Sequence, residues 1–431
     1  MKLKKLKIFL SGIVVANLLL STSVLTSQAR EYAVTGDITS DGVFDVADVI
    51  SLQKWLLHQE VSIADWKAGD FCQDNLLNIF DLCLMKQALL SHSLQPSQKN
   101  IISVATTEEL KIALASAKPG DEIILAEGEY LYTGATPKGR MFIAEADGTE
   151  KQPIILRSED SQHPAIISGT TTGSNYALTI TGDWWEIRDL KIKNASKGII
   201  LDNSNYTKLI NCEVYQIGAE GIHFRDNSSY CLAESCKVHD TGLVSPGYGE
   251  AIYVGSSVST KDYGYDCNYN TIRRCELGPN VTAEHIDVKE YTTGTIIEYC
   301  TFDGTGISGE HYADSFVDIK GNNCIVRYCL GYRNGCEKIN HAFSMNQIVD
   351  GWGLNAYIYG NKAYMDTALN AQGKKMYFLN SWNCSETVWD NFMAYESGEL
   401  FSIDAPDDQW DYYNCSDITY GDASMESQLW G

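Results

Sequence analysis

The sequence predicts an all-β parallel solenoid preceded by a small all-α domain, and three observations carry that expectation. Two acidic loops at residues 37–48 and 70–81 share one spacing, and each runs into an apolar stretch with helical periodicity. From about residue 176, short strand-like segments closed by polar turns recur at intervals of about 23 to 40 residues, as stacked repeats do. Five cysteines, Cys212, Cys236, Cys275, Cys300 and Cys329, fall at the same place in successive repeats.

The acidic loops come first in the chain. In the first, Asp37, Thr39, Asp41, Asp45 and Asp48 stand where alternate side-chain oxygens converge on one centre, and the Val43 carbonyl completes the set. Calcium takes six to eight such hard oxygens. Gly42 supplies the sharp turn between them. The second loop offers Asp70, Asp74, Asn78, Asp81 and the Leu76 carbonyl. There Cys72 replaces an oxygen ligand with a soft thiol, and Asn75 replaces the turn glycine. The second site is therefore expected to bind calcium more weakly. Both loops end in Asp, not in the bidentate Glu of ordinary EF-hands. Together with the paralleled apolar runs from Val49 to Leu57 and from Leu82 to Leu90, residues 33–92 resemble a type I dockerin module. That resemblance implies a cohesin domain of a scaffoldin as partner. It also implies that Val46-Ala47 and Ile79-Phe80 help select it.

Residues 1–29 read as a secretory signal, with a Lys-rich start, an apolar stretch and small residues up to Ala29. The mature protein is expected outside the cell, and the dockerin resemblance implies a cell-surface cellulosome. A net charge of −23 excludes nucleic acid and anionic membranes as general partners. Residues 93–100 are polar and contain Pro96, so they read as a linker to one large domain at 101–431. Thirteen cysteines in a secreted chain invite disulfides, and a Cys72–Cys83 pair is open. The five in register read instead as an interior column of free thiols.

The large domain starts with an amphipathic helix at 106–117, with Leu110, Ile112, Ala113 and Leu114 as its apolar positions. A turn and strand at 119–130 follow. This opening, with the rungs behind it, resembles the pectate-lyase-like (pectin-lyase-like) right-handed parallel β-helices over about residues 101–420. In that family a helix caps the open end of the stack. The strands Gly198-Ile199-Ile200-Leu201, Gly221-Ile222-His223-Phe224, Ala251-Ile252-Tyr253-Val254, His285-Ile286-Asp287-Val288 and Phe316-Val317-Asp318-Ile319 form one repeated set. From about Ala356 the register reads as less clean.

Candidate chemistry gathers on that set. Aligning Ile286 with Val317 puts Asp287 over Asp318 and Lys289 over Lys320, all facing outward. His223 and Arg225, then Tyr253, precede them in register, with Glu220, Glu250 and Glu284 just ahead of the strands. Carboxylates stacked about 4.8 Å apart repel unless a cation intervenes. Calcium held by Glu250, Glu284, Asp287 and Asp318 is the expected resolution. With the family resemblance, this suits calcium-assisted β-elimination of a plant cell-wall pectin-like polyuronate. Lys289 is then the expected base, its pKa lowered by cations and burial, with Lys320 the second candidate and Arg225 placed to hold a uronate carboxylate. Tyr253, His223 and Trp352 are expected to touch sugar. Two other classes stay open: a non-catalytic polyuronate-binding β-helix, and a β-helix glycoside hydrolase working through paired carboxylates.

Overall fold

The computed structural model describes residues 36–72, 74–93, 100–404 and 412–429. The signal segment and most of the linker lie outside the described residues. The chain divides into two compact units, Met1–Gln98 and Lys99–Gly431. No helix among the described residues is long and apolar enough to cross a membrane.

The first unit packs the helices Val46–Leu56 and Ile79–Ser93 around Ile38, Val49, Leu52, Ala68, Leu82 and Met85. Both acidic loops close in the same way. Asp37 accepts from the backbone of Asp41 and Gly42, and Asp70 accepts from Asp74 and Asn75. Asp48 and Asp81, the last residue of each loop, are fully buried and accept from Thr39 and Asp45, and from Cys72 and Asn78. Gly42 and Asn75 both take the left-handed backbone, at φ 93° and 64°. Cys72 and Cys83 are free and exposed.

The second unit is a stack of three-strand rungs. Its strands form three sheets of 12, 10 and 11 members. Each strand pairs in parallel with its counterpart one rung away, apart from the antiparallel Phe401–Ser402. Inward Ile, Leu, Val and Phe from every rung merge into one continuous core. At its start the helix Thr107–Ser116 is capped reciprocally by Thr106 and Glu109 and buries Leu110, Ala113 and Leu114. Ile112 is exposed instead, so the helix's apolar stripe is narrower than the sequence suggests. The strand Asn100–Val104 precedes this helix and pairs with Asp121–Leu125, so the first rung begins at the end of the expected linker.

The cysteine column has a specific cause. Asn211, Ser235, Arg274, Tyr299 and Tyr328 each take φ between 51° and 56°, which bends the chain sharply between two sheets. The next residue is the cysteine, turned inward and buried. Its thiol reaches a backbone carbonyl one rung back: Cys212 to Ile187, Cys236 to Leu209, Cys275 to Ala233, Cys300 to Ile272 and Cys329 to Ile297, at 3.5–3.8 Å. All the cysteines are free.

At the same corner in the next two rungs stand Asn361 and Asn391. Their amides donate to Val326 and Ile358 carbonyls at 3.0 and 2.8 Å. The register therefore continues unbroken past Ala356, contrary to the sequence reading; asparagine takes over the corner from cysteine. Asn361 also accepts from the Cys329 backbone at 2.9 Å. Replacing it with Leu strands one buried N–H and one carbonyl. The expected loss is about 3 kcal/mol in denaturant unfolding, with Asn361→Cys losing less because a thiol still reaches Val326.

Glu386 lies buried in a late rung, on the strand Ser385–Trp389, where Ser381 donates to one carboxyl oxygen at 2.7 Å and the other has no partner. Burial pushes its carboxyl up to about 7. The native state thus keeps a proton that the unfolded chain releases near pH 4.5. This contribution is fully present below that value and is lost as the pH rises through 7, for about 3 kcal/mol in all. Glu386→Gln is expected to flatten this pH dependence and raise the melting temperature at pH 8. An unchanged slope of stability against pH would refute the assignment.

Candidate active site

The ten-stranded sheet carries the site on its outward face. Register stacks His223 on Tyr253, Tyr253 on Asp287, Asp287 on Asp318 and Asp318 on Ser344. These residues face away from the core, yet they are largely shielded, because loops at both strand ends wall them into a cleft of about 920 Å³. Residues 256–263 form one wall after the strand Ile252–Val254. The short turns Pro246–Tyr248 and Glu310–Tyr312, which precede their strands, form the other.

Electrostatics organise the floor. Asp287 divides its two oxygens between Lys289, at 2.6 Å, and Lys320, at 2.8 Å. Lys320 also reaches Asp318 at 2.6 Å, and Asn346 donates to the other Asp318 oxygen at 3.0 Å. Burial favours a protonated Asp287, but the two ammonium groups outweigh it and hold the carboxyl below its ordinary range. Burial alone would lower both lysines; Asp287 outweighs it, with Asp318 assisting, and raises them. The lowered lysine expected from the sequence is therefore corrected: in this arrangement Lys289 is an ammonium, because the nearest charges are carboxylates.

Next to this network, Glu250, Glu284 and Asp287 each turn an oxygen to within 4.8 Å of the others. Burial and then the neighbouring carboxylates push Glu284 up to about 8 and Glu250 well above its ordinary value. One Glu250 oxygen is buried without a hydrogen-bond partner. An all-oxygen, mutually repelling set with an orphaned acceptor fits a calcium-class cation. Asp318, expected in the same ligand set, lies outside it, committed to Lys320 and Asn346.

Other expected residues fall in different places. Arg225 lines the cleft, but its fork clamps Asp202 at 2.6 and 2.8 Å beneath the Tyr263 ring, 3.8 Å away. It fastens the wall instead of presenting a free cation. His223 bonds the Gly255 carbonyl at 2.8 Å and meets Tyr253 edge-on. Burial, then Lys197 and Arg225, push its imidazole well below its usual value, so it is neutral. Gly255 must be glycine here: its φ is 96°, and a Cβ would press on Thr292 and Lys289. Tyr253 lines the cleft with Lys289 Nζ 5.0 Å from its ring centre, and burial and Asp287 keep its phenol protonated. Trp352 is not among the residues lining the cleft; it packs edge-on against Tyr291. His285 faces the core between Phe302 and Phe316.

The sequence reading missed Lys197, Tyr248, Tyr312 and Asn346, all in the cleft lining. Asn346 was legible in principle, since Phe343 continues the column of Ile286 and Val317. The loop residues carry no repeat signal.

This geometry has close relatives. A family model described as the Pel9A-like, right handed beta helix region matches residues 95–355. The chain is 41% identical to an alginate lyase from Paenibacillus sp. str. FPU-7, over 75% of this chain and 98% of that one, with a TM-score of 0.64. Pectate lyase Pel9A, at 15% identity, covers 69% of this chain and 80% of its own with a TM-score of 0.52, and shares the fold. No curated protein sequence matches the chain. Fold and site together define an enzyme of the polysaccharide-lyase class built on a parallel β-helix. Within that class, the chain belongs to the Pel9A-like right-handed β-helix family.

Proposed function

We propose that this protein is a secreted lyase that cleaves a polyuronate by β-elimination in the walled cleft. The observation that carries the reading is the buried convergence of Glu250, Glu284 and Asp287 beside Lys289 and Tyr253. The C5 proton of a uronate is weakly acidic, because it stands alpha to a carboxylate. Once Lys289 has lost its own proton to solvent, its neutral amine takes the C5 proton, the C4–O bond breaks, and the Tyr253 hydroxyl passes its proton to the departing oxygen. A double bond remains between C4 and C5. Lys320 holds Asp287 and Asp318 in place and is too enclosed by them to compete as the base. A calcium ion held by Glu250, Glu284 and Asp287 would neutralise the uronate carboxylate and acidify the C5 proton.

The lining carries Lys197, Arg225, Lys289 and Lys320 against Glu220, Glu250, Glu284, Asp287, Asp314 and Asp318. Glu250 and Glu284 ionise beside the other carboxylates only with a counter-charge in place, which supports the calcium reading. The 41% identity favours alginate as the first polyuronate to test, with polygalacturonate beside it. The full chain, incubated with each in the presence and absence of calcium, is expected to release an ultraviolet-absorbing unsaturated uronide. Reducing ends without that chromophore would establish a hydrolase, and retention on the polymers without cleavage a binding protein.

The N-terminal unit is proposed to be a dockerin-like calcium module that docks on a cohesin. Its support is the matching pair of loops and the exposure of Val46, Ile79 and Phe80 at the partner-selecting positions. Calcium-dependent capture by a panel of cohesin domains tests it; no capture by any of them overturns it.

A further inference from the structure

We infer that Tyr312 is a sugar-binding residue of this cleft, a flat phenol ring on which a sugar unit of the bound chain stacks. The inference rests on the polyuronate reading above and adds a specificity residue to it. Tyr312 lines the cleft and is 92% exposed, the most exposed of the large hydrophobic side chains among the described residues. A ring so bare is not kept there by packing.

Its backbone fixes how the ring is presented. Gly309, His311 and Tyr312 all take positive φ, at 75°, 53° and 71°. Positive φ recurs at the corners of this solenoid, Tyr299 and Tyr328 among them, so here it sets the shape of the turn and the direction in which its side chains leave it. The turn is held from below. Ser308 donates its backbone N–H to Thr282, and its hydroxyl accepts from the Glu310 backbone. The His311 ring meets Tyr248 edge-on at 4.5 Å. Gly247 leaves the space for it, since a Cβ there would come within 2.9 Å of the imidazole. Ala313, the next residue, is buried. Ser308, His311 and Ala313 are held in place while the Tyr312 ring lines the cleft.

Topology places it across from Tyr263. All strands of the ten-stranded sheet run parallel, and the Glu310–Tyr312 turn precedes its strand while residues 256–263 follow theirs. The two walls therefore stand at opposite strand ends, with the Glu250, Asp287 and Lys289 floor between them. A polymer lying on that floor passes beneath the Tyr312 ring. Pyranose rings present apolar C–H faces, which match an aromatic face, and an aromatic costs little side-chain entropy to hold in place.

The test is steady-state kinetics on the polyuronate that the full-length wild type cleaves, with Tyr312→Ala, Tyr312→Phe and Tyr312→Trp. Tyr312→Ala is expected to raise KM about tenfold while kcat falls no more than about twofold. Phe and Trp are expected to restore KM, because stacking needs the ring and not the hydroxyl. An unchanged KM in Tyr312→Ala overturns the inference alone, as does a Phe variant as impaired as Ala. Wild-type protein that neither cleaves nor is retained by any polyuronate overturns the proposed function and this inference together.

Discussion

Lys289→Ala is expected to lower kcat by about 10³-fold while leaving retention on the polymer within a few-fold. That is the size of effect for removing a positioned general base. The substitution deletes the amine that pairs with Asp287 at 2.6 Å and lies 5.0 Å from the Tyr253 ring centre. Lys289→Arg is not expected to rescue it, since a guanidinium keeps its proton under all ordinary conditions. The pH profile gives a second readout with a definite sign. Asp287 raises the lysine above its ordinary value, so the neutral amine becomes more abundant as the pH climbs. The rate should rise toward the alkaline side, and more steeply without added calcium, which draws on the same carboxylate. A variant that keeps more than a tenth of wild-type kcat, or a rate that peaks in acid, refutes the base assignment.

Stripping divalent cations is expected to reduce activity about 10²-fold or more, with calcium restoring it. The physical reason lies in three buried carboxylates that cannot all ionise side by side without a counter-charge. Thermal unfolding provides a readout independent of catalysis. Calcium at 100 times its dissociation constant is expected to stabilise the fold by about 2.7 kcal/mol through this site. Glu284→Gln should remove that part of the calcium response. It should also raise the stability of the calcium-free protein, because an amide cannot join the repulsion. Calcium-independent activity, or an undiminished calcium response in Glu284→Gln, would sink the metal assignment.

Part of this site could be read from residues alone because solenoid register is periodic. The step from Ile286 to Val317 by itself puts Asp287 over Asp318, and the structure pairs the same residues. Side-chain direction alternates along a strand, so one correct pairing places every outward residue. The same logic found His223 beneath Tyr253. It failed where the repeat signal changes its chemistry. Beyond Ala356 the corner cysteine becomes asparagine, and a pattern keyed to apolar residues loses a rung that the hydrogen bonds keep.

What the sequence determined by itself is the stack: inward apolar residues at period two, tight corners at polar residues, and the order in which ionisable groups succeed one another up one face. Those follow from local alternation and from a repeat that each rung satisfies in the same way. Only the tertiary structure decided the states of those groups. Arg225 turned out to be clamped to Asp202, Asp318 withdrawn from the carboxylate cluster, Trp352 left outside the cleft and Lys289 held as an ammonium. Each depends on which charge lies within about 3 Å and how much water is excluded. Loops from different rungs set both, and nothing local in the sequence ties residues 256–263 to the Glu310–Tyr312 turn that faces them.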